Sequence, residues 1–312
     1  MTTAFYSHPD CRAHDMGAGH PECPQRLDAI ADHLISTGLD VALDMRDAPE
    51  VQLSDVDLAH ESRYVDELRE LLAQVTLSGE PRAIDPDTVA SPGTWKAMLR
   101  AAGAAVAATD AVLDGEVENA FCSVRPPGHH ATRDAAMGFC FFNNVSIAAR
   151  HALDVRGLKR VAIVDFDVHH GNGTEDIFRD EDRVFYMSTH EAGIYPSTGS
   201  SEDNRAMRLS NALLLPGSGG EHFRAVWQQK LLPELTAYQP EIILVSAGFD
   251  AHRLDPLANL NVQADDYFWL SQELARIANE FSQGRIISML EGGYSLTALR
   301  ECSVAHLRGL MT

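Results

Sequence analysis

The chain has 312 residues, 45% of them hydrophobic, and a formal net charge of −20. This charge argues against direct binding to nucleic acid, for which a basic stripe is the expected footprint, and it favours cationic partners. No apolar run is long enough to cross a bilayer, and the first residues do not resemble a signal peptide. The odd number of cysteines, five, predicts reduced thiols and a cytoplasmic location.

Apolar strand patterns and helical patterns alternate along the chain. Strands are predicted at roughly 119–124, 160–166, 183–189, 241–247 and 285–290, and helices at roughly 92–113, 142–153, 221–236 and 265–282. This alternation predicts an α/β fold with a mostly parallel sheet. Because no linker rich in proline, glycine or serine divides the chain, we expect one domain that spans residues 1–312.

The first motif in chain order is the spacing C-x2-H-x5-H-x2-C. It is formed by Cys11, His14, His20 and Cys23. These residue types can hold a structural zinc ion, but the inner spacing differs from the usual zinc-finger patterns. We therefore favour an ordinary loop over a zinc knot.

The predicted strand at 119–124 runs into a Pro-Pro-Gly turn, which is followed by the adjacent imidazoles of His129 and His130. Adjacent histidines are common in loops, so the pair alone is a weak signal. Beside a metal motif, however, two adjacent imidazoles can share the steps of a proton transfer. The next motif, GFCFFNN, contains Phe141 and Phe142, which we expect in the core.

The segment VAIVDFDVHHGNG carries the strongest chemical signal. A buried apolar run ends in Asp165, Asp167 and His169, which strand alternation places on one side. Burying two carboxylates is costly without a counter-charge, and a divalent cation supplies one. Asp250, in SAGFD, follows another predicted strand. We interpret Asp167, His169 and Asp250 as the ligands of one metal ion whose fourth position stays open for water, as in catalytic zinc sites.

The last predicted strand, at 285–290, ends in the motif EGGY. Its paired glycines permit a close approach of the backbone, and the phenol of Tyr294 follows them directly. Because parallel strands end at one edge of a sheet, Tyr294 is expected beside the other polar side chains. Its hydroxyl is a candidate electrophile.

Taken in order, the motifs RPPGHH, GFCFFNN, DFDVHHGNG, STHEAGIYPSTG, AGFDAH and EGGY resemble those of the zinc-dependent histone deacetylase family, which includes the acetylpolyamine amidohydrolases. The segment GHPECPQRL resembles the first loop and helix of that family, so the resemblance covers nearly the whole chain. Several spaced motifs in one order are more specific than any single motif. The resemblance implies an arginase/deacetylase fold, an open, mostly parallel sheet with helices on both faces, and hydrolysis of an acyl amide.

The resemblance also implies roles for the histidine pair and for Tyr294. His130 is implied as general base and then acid, while His129 supplies positive charge and orientation. Asp165 would hydrogen-bond His129, and Asn172 would hydrogen-bond His130. Because a carboxylate stabilises an imidazolium and an amide only orients the ring, we expect His130 to be the less basic imidazole. Tyr294 would donate to the developing oxyanion.

A structural monovalent cation, usually potassium, is a further implication of the resemblance. The residues that match its site in the family are Asp165, Asp167, Ser188 and the carbonyls of His169 and Thr189. Arg26 resembles the internal-channel arginine of the family, although a solvated charge on a helix is the alternative interpretation.

Two aromatic residues match the walls of the narrow acyl-lysine tunnel in the family. They are Phe139, which follows Gly138, and Tyr195, which stands where Phe is commoner. Leu257 falls where a polyamine-selective member is expected to carry a carboxylate, which argues against a polyamine specialist. Asp87 is placed at the rim, where it would accept a hydrogen bond from a backbone amide of the substrate.

The substrate implied by the resemblance is an acyl-lysine peptide or protein, or an acetylated small amine, with one catalytic zinc ion per chain. An arginase-like ureohydrolase would need a second aspartate cluster for a second metal, but AHRLD follows Asp250. A catalytically silent acyl-lysine scaffold would be expected to lack part of the machinery, and all of it is present. The sequence leaves open the acyl group, self-association, and iron(II) or cobalt in place of zinc.

Overall fold

The computed structural model describes residues 2–312. Its strands are β1 (Thr3–Ser7), β2 (Leu43–Asp47), β3 (Arg82–Ala83), β4 (Val89–Ala90), β5 (Asn119–Cys122), β6 (Val161–Asp165), β7 (Val184–Glu191), β8 (Leu209–Leu214), β9 (Ile242–Ala247) and β10 (Ile286–Leu290). Eight of them form one sheet in the order β2-β1-β5-β10-β9-β6-β7-β8, and β3 pairs with β4 alone. Neighbouring strands of the large sheet are parallel throughout.

Helices surround this sheet. They are α1 (Gln25–Thr37), α2 (Leu53–Val56), α3 (Ser62–Ser78), α4 (Thr94–Leu113), α5 (Asn144–Arg150), α6 (Asn172–Phe178), α7 (Gly220–Val226), α8 (Leu232–Tyr238), α9 (Ala264–Phe281) and α10 (Leu296–Leu310). The predicted α/β fold with a parallel sheet is therefore confirmed.

The core lies on the central strands. Every residue of β6, β9 and β10 is buried, which explains their continuous apolar sequences, because a parallel strand covered on both faces has no solvated side. Phe141 and Phe142 are buried in the core as expected, at 0% and 1% exposed.

The five predicted strands agree with the structure to within two residues at each end. The sequence patterns did not indicate β1, β2 or β8. The last two are edge strands whose exposed residues interrupt the apolar run. The predicted helix at 142–153 is α5 followed by a π-helical turn, His151–Val155, and a second π-helical segment, Trp227–Leu231, connects α7 to α8.

The topology brings the chemical motifs together. The four adjacent strands β5, β10, β9 and β6 precede RPPGHH, EGGY, AGFD and DFDVHH respectively. Because parallel strands end at a common edge, their following loops meet there. The sheet therefore concentrates the predicted polar residues at one place.

Within residues 2–312, no helix combines the length and apolarity that crossing a membrane requires. All five cysteines of the described chain are free thiols.

Candidate active site

Three side chains that follow β6 and β9 form a candidate metal centre. Asp167, His169 and Asp250 each offer one ligand atom, and these atoms lie within 4.8 Å of one another. All three residues are buried. Among the described residues 2–312, no second group of this kind occurs.

Hydrogen bonds to the backbone orient the carboxylates of this centre. The strand β6 ends at Asp165, so Asp167 and His169 lie in the loop beyond it, where strand alternation no longer applies. Asp165 Oδ1 accepts the N–H of Asp167 at 3.1 Å, and Asp167 Oδ1 accepts the N–H of His169 at 2.9 Å. Asp250 Oδ1 accepts the N–H of Val168 at 2.9 Å, which ties the two loops together.

The donor set fits a divalent cation such as zinc. Asp250 Oδ2 is buried without a hydrogen-bond donor in the described part of the chain, although it lies 3.2 Å from Nδ1 of His169. Burial opposes a charge on His169, but the adjacent carboxylates of Asp167 and Asp250 outweigh it and raise its pKa to about 10. Two carboxylates that favour a positive charge between them, together with the nitrogen of a neutral imidazole, are a suitable ligand set for zinc.

The histidine pair lies next to this centre. The rings of His129 and His130 are 4.0 Å apart between centroids. His129 Nδ1 lies 3.1 Å from Asp165 Oδ2, and His130 Nδ1 lies 2.8 Å from Asn172 Oδ1. The structure thus brings together both pairs that the resemblance implied.

The environments of the two imidazoles push their pKa values apart. For His129, burial disfavours the charged ring, but the charges of Asp167 and Asp165 outweigh it and raise the pKa to about 10. For His130, burial, aided by the neighbouring charges of His129 and His169, lowers the pKa well below its ordinary value. This order agrees with the expectation that His130 is the less basic ring. A ring that is uncharged at neutral pH is available to accept a proton, whereas a protonated ring is not.

Tyr294 lies in the loop after β10. Burial and the charge of Asp250 raise its pKa well above the usual value, so the phenol stays protonated and can donate. Its ring meets that of Phe139 edge to face at 5.9 Å, and the guanidinium of Arg26 lies 5.1 Å from the ring centre. Its backbone N–H donates to Asp255 Oδ2 at 2.7 Å.

A cavity of about 200 Å³ leads to these groups. Its lining residues are Asp87, His130, Gly138, Phe139, His169, Tyr195, Leu257 and Tyr294. All five predicted tunnel residues are therefore in the wall. Gly138 has φ 56°, and a Cβ there would lie 2.5 Å from Cδ2 of His130, so the close approach of the loop to the imidazole requires glycine.

Arg26 is fully buried, so its interpretation as a solvated helix charge is wrong. Its Nε donates to the carbonyl of Gly293 at 2.7 Å, and Nη1 donates to Glu22 Oε1 at 3.0 Å. Arg125 of RPPGHH forms a two-pronged ion pair with the same Glu22 carboxylate. One buried carboxylate thus connects the first loop, the histidine loop and the EGGY loop.

The remaining predicted residues have definite places. Ser188 is the register partner of Asp165 on the neighbouring strand, and its hydroxyl lies 2.9 Å from His190 Nδ1. His14 hydrogen-bonds the hydroxyl of Thr94 at 2.8 Å. The ring of His20 packs edge-on against that of Phe139, with 4.8 Å between the ring centroids.

Sequence reasoning missed two buried carboxylates in this region, Asp255 and Glu291. Both accept hydrogen bonds from backbone N–H groups, Glu291 from the loop of the histidine pair and Asp255 from the loop of Tyr294. Their only sequence signal was their position in the motifs DPL and EGGY, which does not distinguish an anchoring carboxylate from an ordinary turn residue.

Comparison with known proteins decides the family. Residues 20–310 match the model of the histone deacetylase domain. The chain belongs to the histone deacetylase family. Membership in this deacetylase family supports a hydrolase that acts on amides.

Relatives and a solved structure agree with this assignment. The chain is 35% identical over 299 residues to the histone deacetylase-like amidohydrolase of Pseudomonas aeruginosa, covering 94% of this chain and 77% of that protein. It is 38% identical over 318 residues to the polyamine deacetylase HDAC10 of Homo sapiens, covering 96% of this chain and 47% of that protein. The crystal structure of the HDA15 HD domain matches with a TM-score of 0.92 and 32% identity, covering 99% of this chain and 88% of that one.

Proposed function

We propose that the protein is a zinc-dependent amidohydrolase that removes an acyl group, most simply acetyl, from a lysine-like amine. The observation that carries the proposal is the shared location of three groups. The ligand set of Asp167, His169 and Asp250 is reached through a tunnel whose wall also contains His130 and Tyr294.

Each group of residues in the site has its own role in the proposed hydrolysis. Asp167, His169 and Asp250 would hold a divalent cation, which would supply Lewis acidity to the amide carbonyl and to the attacking water. Because Nδ1 of His130 is engaged by Asn172, Nε2 is the nitrogen free to take the proton of that water and to pass it to the leaving amine. His129, paired with Asp165, keeps a positive charge nearby, and Tyr294 donates to the oxyanion.

Three features of the tunnel favour an acyl-lysine in a peptide or protein. Phe139 and Tyr195 provide flat walls for a methylene chain. Leu257 presents an apolar side chain to the cavity, where recognition of a distal ammonium would call for a carboxylate. Asp87 also lines the cavity, where it can accept a hydrogen bond from a substrate amide.

Deacetylation of an acetylpolyamine or another small amide is the second candidate. The 38% identity to the human polyamine deacetylase favours it. The net charge of −20 suits either cationic substrate, and screening beyond about 8 Å prevents it from selecting between them. The apolar Leu257 is the residue that separates the two candidates.

A panel of substrates tests the proposal. Zinc-loaded protein is assayed with acetyl-lysine peptides, acetylspermidine, acetylputrescine and longer acyl-lysines, and kcat/KM is compared. We expect the acetyl-lysine peptides to rank first; a higher value for acetylspermidine would establish the second candidate. Chelation should abolish turnover and one zinc ion per chain should restore it, whereas two bound ions would favour a ureohydrolase-like centre.

A non-catalytic role as an acyl-lysine-binding scaffold is the remaining alternative. The complete set of ligands, imidazoles and phenol opposes it. Undetectable turnover of every substrate by metal-loaded protein, together with measurable binding of acyl-lysine peptides, would establish it instead.

Potassium binding near Asp165 and Ser188 stays a prediction, as does a cytoplasmic location. The oligomeric state is open. The register pairing of Asp165 with Ser188 supports potassium binding. Elemental analysis and the potassium dependence of activity would test it.

A further inference from the structure

Glu291, the first residue after β10, carries a carboxylate that is completely buried, at 0% exposed. Its Oε2 accepts the backbone N–H of Gly128 at 2.7 Å and that of His129 at 3.2 Å. Its Oε1 accepts the hydroxyl of Ser246 at 3.2 Å. A single side chain therefore connects the loop of the histidine pair to the end of the strand β9.

The backbone of Glu291 is fixed as firmly as its side chain. Its N–H donates to the carbonyl of Ala247 at 3.0 Å, and its carbonyl accepts a hydrogen bond from the guanidinium of Arg26. Because the residue is held on both sides, its carboxylate is a rigid reference point for the loop that it touches. The loop itself has no strand or helix structure from Ser123 to Asn143, so side-chain anchors of this kind must define its course.

Glu291 binds the backbone N–H groups of Gly128 and His129, the two residues that directly precede His130 in the chain. The N–H of His129 belongs to the residue whose ring packs 4.0 Å from that of His130. A shift of this peptide would move both imidazoles together relative to Asp165, Asn172 and the ligand set. Misplacement by about 1 Å far from the chemistry can lower a rate by about 100-fold.

We propose that Glu291 is a positioning residue that aims the histidine pair by holding the backbone of Gly128 and His129. It acts through these imidazoles and does not itself contact the reacting atoms. Since this role concerns the amide hydrolysis inferred above, its catalytic readout rests on that proposed function.

The proposal assigns the effect to acceptor geometry and not to the negative charge. In Glu291→Gln, the amide oxygen can accept both backbone N–H groups while the NH2 group donates to the Ser246 hydroxyl. Burial raises the pKa of Glu291 to about 7, the direction expected where a charge is costly, so we expect a neutral acceptor to be accommodated there. Glu291→Met fills similar space but accepts no comparable hydrogen bond.

Steady-state kinetics on zinc-loaded protein provide the first test. Glu291→Met is expected to lower kcat by about 100-fold with little change in KM or zinc content, and Glu291→Gln is expected to stay near the wild-type kcat. Glu301→Met, an exposed glutamate on α10, is the matched control and should leave kcat unchanged. A wild-type kcat for Glu291→Met would overturn the proposal.

Coupling to His129 separates positioning from a general structural role. If Glu291 acts through the histidine pair, the loss caused by Glu291→Met should largely disappear in a His129→Ala background. Fully additive losses would contradict the proposal. Should Glu291→Met not fold, Ser246→Ala is the milder variant, and a smaller kcat loss in the same direction is expected.

Amide hydrogen exchange tests the contact without any substrate. In wild type and Glu291→Gln, the amides of Gly128 and His129 should be protected, whereas Glu291→Met should exchange them much faster. This result is independent of turnover, so a protein that hydrolyses no acyl amide would refute the proposed function and leave the anchoring contact measurable. Unchanged protection in Glu291→Met would refute the anchoring contact itself.

Discussion

Tyr294 is the side chain whose hydroxyl the proposed chemistry requires most specifically. In Tyr294→Phe the edge-to-face contact with Phe139 is kept, but the donor to the oxyanion is lost. Loss of one such donor typically costs about 2.7 to 4 kcal/mol of barrier, so kcat should fall by about 100- to 1,000-fold. Steady-state kinetics and calorimetric substrate binding should show reduced kcat with retained affinity. A variant that loses binding and keeps kcat would remove Tyr294 from the chemical step.

Gly292 controls the ligand carboxylates by its lack of a side chain. A Cβ at this position would lie 2.0 Å from Asp250 Oδ2 and 2.7 Å from Asp167 Oδ2. Gly292→Ala should therefore displace the ligands and lower zinc affinity by about 10- to 100-fold. Competition with a fluorescent chelator measures this affinity.

Gly219→Ala is the matched control for that substitution. A Cβ there would meet no atom closer than 3.5 Å, and its φ of −105° suits any residue. Zinc affinity should be unchanged in the control. Equal affinity in wild type and Gly292→Ala would show that the two carboxylates are not the ligands.

At the scale of elements, the buried carboxylate of Glu22 connects three loops around the site. Burial raises its pKa, but the charges of Arg125 and Arg26 outweigh this and hold it at about 2, below the ordinary 4.5. Its stabilising contribution is therefore complete above about pH 4.5 and is lost as the pH falls from 4.5 towards 2, because the unfolded chain takes up the proton first.

Glu22→Gln should reveal this contribution. It leaves two buried guanidinium groups without their counter-ion, so the free energy of unfolding should drop by about 3 kcal/mol at pH 7. The difference in the free energy of unfolding between wild type and Glu22→Gln should decrease below about pH 4.5, by at most about 1.4 kcal/mol per pH unit. Urea unfolding between pH 7 and pH 3 measures both effects, with Glu70→Gln, an exposed glutamate, as control. If this difference in unfolding free energy instead increased on acidification, the lowered pKa assigned to Glu22 would be wrong.

The elements that the sequence predicted well are those with both faces covered. The strands β6, β9 and β10 consist of buried residues only, so their apolar runs are unambiguous. Edge strands such as β8 mix buried and exposed residues and give no such signal. The polar residues that end the central strands stood out for the same reason, because they interrupt long apolar runs.

The contacts between loops could not be predicted from the sequence. The contacts of His129 with Asp165 and of His130 with Asn172 were expected only through the family resemblance. The anchoring roles of Asp255 and Glu291 were not expected at all, because they depend on which backbone N–H groups the sheet register brings within reach. Register is a long-range property, and spacing along the chain does not contain it.

For the whole molecule, metal binding should be coupled to stability. The proposed ligands come from loops after two neighbouring strands, β6 and β9, so they come together only when the sheet is assembled. Zinc at 100 times its dissociation constant should stabilise the fold by about 2.7 kcal/mol and raise the Tm. Thermal unfolding with and without zinc measures this shift. Asp250→Asn should remove it, and a shift that persists in this variant would indicate zinc binding elsewhere.

The parallel pairing of the central strands has one more consequence, for how this molecule tolerates changes of length. Asp165 stands opposite Ser188 on one neighbouring strand and opposite Ser246 on the other. Inserting or deleting a single residue within β6 would turn its acidic terminus towards the wrong layer of helices. Insertions and deletions should therefore be tolerated in the connections on the far side of the sheet and rejected within the strands themselves, which a library of single-codon indels would reveal.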